Sequence, residues 1–192
     1  LEEDRQACKQ KIYDFNQLPP SRQSKEAPQM IKNIFGKTGE NVWVEAPFHC
    51  DYGWNIEVGE NFYSNYNLTI LDVGKVTCGK NVQIAPNVSI YTAGHPVHPD
   101  SRNSGYEYGI PVTVGDNVWI GGNTVILPGV TVGSNVVIGA GSVVSKDIPD
   151  NTIAAGNPCK VIRGITDEDR IYYFKKQKFD DEAWEEVKNK NK

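Results

Sequence analysis

Aliphatic residues recur at every sixth position over a long stretch of the chain. Six consecutive β-branched residues keep this interval, namely Val114, Ile120, Ile126, Val132, Ile138 and Val144. A second set lies two residues before each of them, at Val112, Val118, Thr124, Val130, Val136 and Ser142. Residues two apart lie on the same face of a strand, so each hexad predicts a short strand with one inward face.

Glycine and asparagine separate these strands, as in Gly121-Gly122-Asn123. Both residue types tolerate positive φ, which lets the chain turn after only a few extended residues. The same six-residue frame occurs earlier, at Val58, Ser64 and Ile70 and again, after a shift of two residues, at Cys78, Ile84 and Ile90. We interpret the shift as a bulge or a widened corner.

Strands this short, with a corner in each hexad, predict an all-β solenoid in which every coil buries its apolar face against its neighbours. We expect the solenoid over residues 41–163, after an N-terminal helical cap at 1–40 that Pro19-Pro20 divides into two helices. A helical or extended tail is expected at 164–192, where Thr166 and Asp169 have the spacing of a capping box.

A protruding loop at about residues 94–111 interrupts the frame, which stops at Ile90 and restarts at Val112. The solenoid does not require this loop, and loops of this length inside compact domains are usually functional. It contains His95 and His98, two of the three histidines in the chain. The loop is therefore the first place to look for chemistry.

The composition excludes several classes of partner. The 192 residues carry a net charge of −4 without a dense stripe of Lys or Arg, so we expect neither a nucleic-acid nor a membrane partner. No long apolar run or secretion signal is present, and the four cysteines form no C-x-x-C pair, which favours reduced thiols in the cytoplasm. The chain begins at Leu1, and we expect a few residues to precede it.

Four stretches of the chain carry a family resemblance: residues 50–72 (CDYGWNIEVGENFYSNYNLTILD), 84–105, 111–133 and 138–163. Together they resemble the galactoside and maltose O-acetyltransferases of the hexapeptide-repeat class. This resemblance implies a left-handed parallel β-helix and an acetyl-CoA-dependent O-acetyltransferase that modifies a sugar hydroxyl. It also implies a homotrimer with active sites between subunits, and a reaction that requires no metal.

The resemblance places the catalytic base at His95. Imidazole titrates near neutrality and can take the proton of an attacking hydroxyl. We expect the Glu107 carboxylate, on the far arm of the loop, to bind the second ring nitrogen of His95 and orient the imidazole. Alternatively, Glu107 is an ordinary solvated loop residue. Backbone N–H groups of Gly121 and Gly122 are candidate oxyanion donors. His98 is expected to contribute little.

The resemblance also implies residues for the two substrates. The acceptor would meet Asp51, Tyr63 and Asn65, with a further acidic residue from a preceding segment; alternatively, Asn65 serves only its corner of the coil. Trp119 lies between inward-facing neighbours and must project outward, where a ligand or a neighbouring subunit would cover it. The other coenzyme residues implied are Gly122, Ala140, Ser145, Lys146, Lys160 and Arg163.

Three other functions fit parts of the sequence. A zinc hydratase could be built on the same scaffold from three histidines, but His49 lies several coils upstream and Pro96 constrains the stretch between His95 and His98. A catalytically silent scaffold would keep the solenoid without turnover. An acetyltransferase of a non-sugar acceptor would use the same base.

Overall fold

Short parallel strands stack into the three sides of a triangular solenoid, the predicted left-handed parallel β-helix. The computed structural model describes residues 1–190. Side 1 consists of β1 (Val42–Val44), β4 (Phe62–Ser64), β7 (Gln83–Ile84), β12 (Trp119–Ile120), β15 (Val137–Ile138) and β17 (Thr152–Ala155). Side 2 consists of β2 (Phe48–Cys50), β5 (Leu68–Leu71), β8 (Ser89–Tyr91), β13 (Val125–Ile126) and β16 (Val143–Val144). Side 3 consists of β3 (Ile56–Val58), β6 (Val76–Cys78), β11 (Val112–Val114) and β14 (Thr131–Val132).

The interior is filled by the hexad residues, as predicted. The six members of the main frame, Val114 to Val144, are each at most 1% exposed. Thr124 and Ser142 are also fully buried, and both hydroxyl groups donate to the carbonyl of Gly139. These two hydroxyl groups are tolerated in the core because each has a backbone carbonyl as its acceptor.

The coils differ in length, which explains the shift in the hexad frame. Paired residues are 20 positions apart in the early coils (Tyr63 and Gln83) but 18 apart later (Trp119 and Val137). The two extra residues lie at the corner between sides 2 and 3, where Asp72 is fully buried. Its Oδ1 accepts the backbone N–H groups of Asp51 and Tyr52, each at 2.9 Å. The predicted widened corner is therefore held by a buried carboxylate.

Asparagine side chains form a ladder along the corner between sides 3 and 1. Each Nδ2 donates to the Oδ1 of the next asparagine at 2.8–3.3 Å, in the order Asn41, Asn61, Asn81, Asn117, Asn135 and Asn151. All but the first have φ between +55° and +58°. The residue type thus supplies both the left-handed backbone and the bond to the next coil.

The two ends of the stack are covered differently. The first coil is capped by α1 (Glu2–Asn16) and α2 (Pro20–Ile34), with Ile31 fully buried. A bridge between Lys37 and Glu57 shows that the first coil already begins before residue 41. At the other end β18 (Lys160–Gly164) pairs antiparallel with β17 and covers its edge.

The tail continues with short elements, namely a 3₁₀ helix (Asp167–Ile171), β19 (Tyr172–Phe174), β20 (Gln177–Lys178) and an α-helix (Asp181–Lys190). The Thr166–Asp169 capping box forms, and it starts the 3₁₀ helix. Within residues 1–190, no helix combines the length and apolar character needed to cross a membrane.

The asparagine ladder yields a stability prediction for Asn117. We expect Asn117→Gly to lower the free energy of unfolding by about 1–2 kcal/mol, because two side-chain hydrogen bonds are lost. Asn117→Ala should cost about 1 kcal/mol more, since alanine disfavours the φ of +56°. Urea denaturation measures both changes, with exposed Lys80→Ala as the control near zero. Equal effects of glycine and alanine would contradict the role assigned to φ.

Candidate active site

The protruding loop is tied to the solenoid by a small antiparallel ribbon at its base. β9 (Ala93–Gly94) pairs with β10 (Tyr108–Gly109), and a short helix α3 (Pro99–Asn103) lies between them. A Cβ at Gly94 would lie 2.5 Å from the Tyr108 hydroxyl oxygen, so any larger residue would have to displace the Tyr108 side chain. The residue after Gly94 therefore starts from a fixed position.

His95 is exposed, and its ring is oriented by the backbone. Nδ1 lies 3.0 Å from the carbonyl oxygen of Tyr106, on the returning arm of the loop. A carbonyl can only accept, so Nδ1 carries the hydrogen and Nε2 keeps its lone pair. The imidazole is held in the tautomer that a general base needs.

The partner of His95 Nδ1 is the Tyr106 carbonyl group and not the expected Glu107 carboxylate. Glu107 is exposed and directly follows Tyr106, but it is not the Nδ1 partner in the structure. The expectation that Glu107 orients His95 is thus corrected for the single chain, because the backbone one residue earlier reaches the ring first. Any contact of Glu107 with a substrate stays a prediction.

His98 has a structural task within the loop. Its Nδ1 accepts the backbone N–H of Asp100 at 3.2 Å and caps the start of α3. Arg102 in turn donates to the carbonyl groups of Pro96 and Val97. These bonds stiffen the outer part of the loop. Across residues 1–190, no group of three or more His, Cys, Asp or Glu side chains is arranged to hold a metal ion.

The outer surface of side 1 carries a continuous column of residues. Strand register aligns them in the order Tyr63, Gln83, Trp119, Val137, Ile153 and Arg163. Neighbouring strands are about 4.8 Å apart, so the column from Tyr63 to Arg163 extends ~24 Å. The outward orientation predicted for Trp119 is confirmed, since it is 55% exposed. Burial and the nearby Glu45 carboxylate raise the pKa of Tyr63, which keeps its phenol protonated.

The corner between sides 1 and 2 holds Asn65, Gly122 and Ala140, three of the residues implied for ligands. Asn65 Oδ1 accepts the N–H of Tyr66 at 2.8 Å, so this side chain does serve its corner, while its Nδ2 group remains available. The backbone N–H of Gly121 donates to Ile138 O and is not an oxyanion donor. The N–H of Gly122 donates to no acceptor within residues 1–190. Gly121 is therefore removed from the expected oxyanion donors, and the role of Gly122 stays a prediction.

The corner between sides 2 and 3 holds Asp51, the His95 loop, Ser145 and Lys146. Asp51 Oδ1 lies 3.6 Å from Nε of Arg5, which comes from α1. Below it, burial raises the pKa of Asp72, although backbone N–H groups of Tyr52 and Asp51 oppose the shift. Asp72 thus anchors the backbone of Asp51, a role that the sequence indicated only through the two extra residues in this corner.

Lys160 and Arg163 lie on β18, at the far end of the column on side 1. Both are exposed. The Arg163 guanidinium makes a two-pronged ion pair with Asp169 at 2.6–2.7 Å and holds the pKa of that carboxyl well below its usual range. Two of its N–H groups remain for a ligand. The pairing with Asp169 was not foreseen from the sequence.

One chain does not bring all the expected residues together. His95 and Asp51 belong to one corner, whereas Gly122 and Ala140 belong to another, and the whole of side 2 separates the two corners. Side 2 carries five strands, and its inward residues fill the core. A site that uses both corners needs a second surface to complete it.

Comparisons with known proteins place this arrangement in a class. Residues 111–146 match the family described as bacterial transferase hexapeptide (six repeats). Residues 1–39 match the maltose acetyltransferase hexapeptide capping motif. The solenoid and its cap thus define a hexapeptide-repeat acetyltransferase.

Individual relatives identify the family within this class. A galactoside O-acetyltransferase of Escherichia coli is 53% identical over 178 residues, which cover 93% of this chain and 87% of that protein. A galactoside acetyltransferase solved in complex with coenzyme A superposes with a TM-score of 0.90 at 52% identity, covering 93% and 89% of the two chains. A maltose O-acetyltransferase from Clostridium difficile gives a TM-score of 0.84 at 53% identity, covering 86% and 88%. The chain belongs to the galactoside and maltose O-acetyltransferase family.

Asp72 yields a prediction for the pH dependence of stability. Its folded pKa is raised above the unfolded value of about 3.9, so its favourable contribution is complete below that value and is lost as the pH rises through the folded pKa. We expect the stability of the wild type relative to Asp72→Asn to fall as the pH rises from about 4 to 7. Urea unfolding of both proteins across this range measures the difference. A difference that does not change with pH would contradict the raised pKa.

Proposed function

We propose that the protein transfers the acetyl group of acetyl-CoA to a hydroxyl group of a sugar, with His95 as the general base. The observation that carries this proposal is the bond from His95 Nδ1 to the Tyr106 carbonyl, which leaves Nε2 as an exposed base. Support for the substrates comes from relatives named galactoside and maltose O-acetyltransferases, one of them solved with coenzyme A.

The reaction then follows the chemistry of acyl transfer. Nε2 of His95 takes the proton of the sugar hydroxyl as its oxygen attacks the thioester carbonyl. Negative charge develops on the carbonyl oxygen, and the unpaired N–H of Gly122 is the donor we assign to it. The tetrahedral intermediate expels the thiolate of coenzyme A, and the imidazolium returns the proton to that sulfur. The imidazole is regenerated without a metal ion.

The acceptor side of the site contains acidic and amide groups suited to sugar hydroxyls. We assign Asp51, Tyr63 and Asn65 to this role, since each presents a polar group at the surface of the solenoid. Glu107 is a further candidate, because it lies beside the carbonyl that orients His95. Paired donors and acceptors of this kind discriminate strongly between hydroxyl patterns.

The coenzyme side follows the column on side 1. The Trp119 indole offers an apolar platform, and the two cations of β18 end the column at a distance suited to a long phosphate-bearing ligand. We assign to the coenzyme Trp119, Gly122, Ala140, Lys160 and Arg163 on this face and its edge. We also assign Ser145 and Lys146, which lie at the corner with the His95 loop and would come from the second copy at the cleft. Arg163 is already oriented by Asp169 and keeps donors free for a phosphate.

We further propose that the enzyme is a homotrimer with its sites in the clefts between subunits. The corner that carries His95 and the corner that carries Gly122 lie at opposite edges of side 2, so a cleft between two copies can pair one with the other. The exposed Trp119 and Tyr66 would be covered there. The four free cysteines fit a reducing compartment, and we place the enzyme in the cytoplasm.

Removal of the base is the central test. We expect His95→Ala to lower kcat about 10²–10⁴-fold with acetyl-CoA and a panel of sugars, because no other group takes the hydroxyl proton. Release of coenzyme A measured with a thiol reagent follows the reaction, and circular dichroism confirms that the fold is retained.

His98→Ala is the matched control for this substitution. It removes a histidine from the same loop, whose task is to cap α3, and it should keep kcat within about threefold of the wild type. Turnover of His95→Ala near the wild-type rate would refute the assignment of the base. A wild type that binds coenzyme A but acetylates no sugar would refute the sugar acceptor.

The cations of β18 yield a prediction for coenzyme binding. Lys160→Gln should raise the KM for acetyl-CoA about tenfold with little change in kcat, since a charge-assisted hydrogen bond to a phosphate is lost without affecting the reacting atoms. Steady-state kinetics at fixed acceptor concentration measure the change. Lys80→Gln, an exposed lysine on the asparagine-ladder corner, is the control and should leave this KM unchanged. An unchanged KM in Lys160→Gln would contradict the role of Lys160.

A further inference from the structure

Two cysteines far apart in the sequence meet beneath the helical cap. The Sγ atoms of Cys8, on α1, and Cys50, at the end of β2, lie 3.6 Å apart. The other two cysteines, Cys78 and Cys159, are buried in separate parts of the solenoid. We propose that Cys8 and Cys50 are a redox-reactive pair that closes into an intramolecular disulfide when the protein meets a peroxide.

The surroundings of the two thiols differ. Cys8 is 3% exposed on the inner face of α1, whereas Cys50 is partly exposed. The contact between the two sulfurs lowers the pKa of Cys8, and the same contact together with burial raises the pKa of Cys50. Ionisation thus favours Cys8 and access to solvent favours Cys50 as the first site of oxidation, and the 3.6 Å contact lets the other thiol close the disulfide in either case.

The chemistry requires one molecule of hydrogen peroxide. The thiolate of one cysteine of the pair attacks a peroxide oxygen, the O–O bond breaks, and a sulfenic acid and one water form after proton uptake. The sulfur of the other cysteine then attacks the sulfenic sulfur, forms the S–S bond, loses its proton and releases a second water. Two thiols are oxidised and one peroxide is reduced. The sulfur atoms must approach from 3.6 Å to about 2.05 Å, a movement within reach of a helix packed on the end of the stack.

The disulfide would clamp the cap onto the first coil. The link spans 42 positions of sequence, from α1 across α2 to β2, so it removes much conformational freedom from the unfolded chain. Asn16 already ties the same two elements, through hydrogen bonds to the backbone N–H and carbonyl of Phe48. Oxidation would thus reinforce an existing contact between the cap and β2.

The pair also lies beside the acceptor side of the proposed site, and this part of the inference rests on the proposed function. Cys50 directly precedes Asp51, and Arg5 lies one turn before Cys8, with its buried Nε 3.6 Å from Asp51 Oδ1 and without a hydrogen-bond partner among residues 1–190. Closing the disulfide draws α1 toward the corner and presses Arg5 onto Asp51. A carboxylate held by Arg5 is less available to a sugar hydroxyl.

The experiment treats the full chain with hydrogen peroxide and follows its mass, its thiols and its melting temperature. We expect the mass to fall by about 2 Da, the cross-linked peptides to contain Cys8 and Cys50, and the Tm to rise by about 5–10 °C. Dithiothreitol should reverse all three changes. Cys8→Ser and Cys50→Ser should each abolish them.

A second variant tests the pair without changing Cys8 or Cys50, because the single substitutions also alter the packing of the cap. Cys78→Val with Cys159→Ala leaves only the proposed pair, and valine matches Val58 and Val114, which flank position 78 in register on side 3. This protein should still lose two hydrogen atoms on oxidation. Four free thiols in the treated wild type, sulfinic acid on an unpaired Cys8 or Cys50, or cross-links that involve Cys78 or Cys159 would each overturn the proposal.

The effect of the disulfide on the proposed acceptor site is measured separately, by steady-state kinetics. The oxidised enzyme should show an acceptor KM raised about threefold or more and an unchanged KM for acetyl-CoA, relative to the reduced enzyme. An unchanged acceptor KM in fully cross-linked protein would overturn the coupling to Asp51. The thiol and mass readouts do not depend on turnover, so failure of the proposed function and failure of the disulfide remain distinguishable.

Discussion

The structure depends on the stacking of each coil on the next. Backbone hydrogen bonds join equivalent residues of successive coils, and the inward aliphatic side chains form columns that exclude water. Each coil is stable only against its neighbours, so the chain needs a cap at both ends, which α1, α2 and β18 provide. It also follows that the interior has no room for chemistry. Polar function must lie on the outer faces and at the corners.

The three corners of the solenoid carry different polar groups. One corner is occupied by the asparagine ladder, where each side-chain amide along the middle of the stack is hydrogen-bonded to the amide of the next coil. The other two corners carry the loop with His95 and the backbone N–H of Gly122, which has no acceptor among residues 1–190. A rigid side of the prism separates these two corners, so one chain alone does not bring His95 and Gly122 together. The site that we propose uses both corners and therefore requires a second copy of the chain.

The sequence predicted the parts of the fold that follow from residue type and period. Hexads at Val114 to Val144 identified the inward columns, the shift before Cys78 located the widened corner, and alternation placed Trp119 outward. What it could not predict were contacts made by the backbone, which no side-chain pattern encodes. His95 Nδ1 is bonded to the Tyr106 carbonyl and not to the Glu107 carboxylate. The backbone N–H of Gly121 donates to the carbonyl of Ile138, so it is not a candidate oxyanion donor. The pairing of Arg163 with Asp169 depends on how the tail folds back, which is a tertiary effect.

A buried carboxylate near the capped end of the stack, Asp72, has a specific physical role. The corner between sides 2 and 3 cannot rely on hexad packing alone in the early coils, because these coils are two residues longer. Asp72 supplies the missing constraint by accepting two backbone N–H groups, although its other carboxylate oxygen, Oδ2, is buried without a hydrogen-bond partner among residues 1–190. Such a group costs stability in order to fix geometry. The cap compensates by covering this corner with α1, which brings Arg5 and Cys8 next to the same residues. The backbone around Asp51 and the attachment of the cap are therefore one structural unit, so a change in one is expected to alter the other.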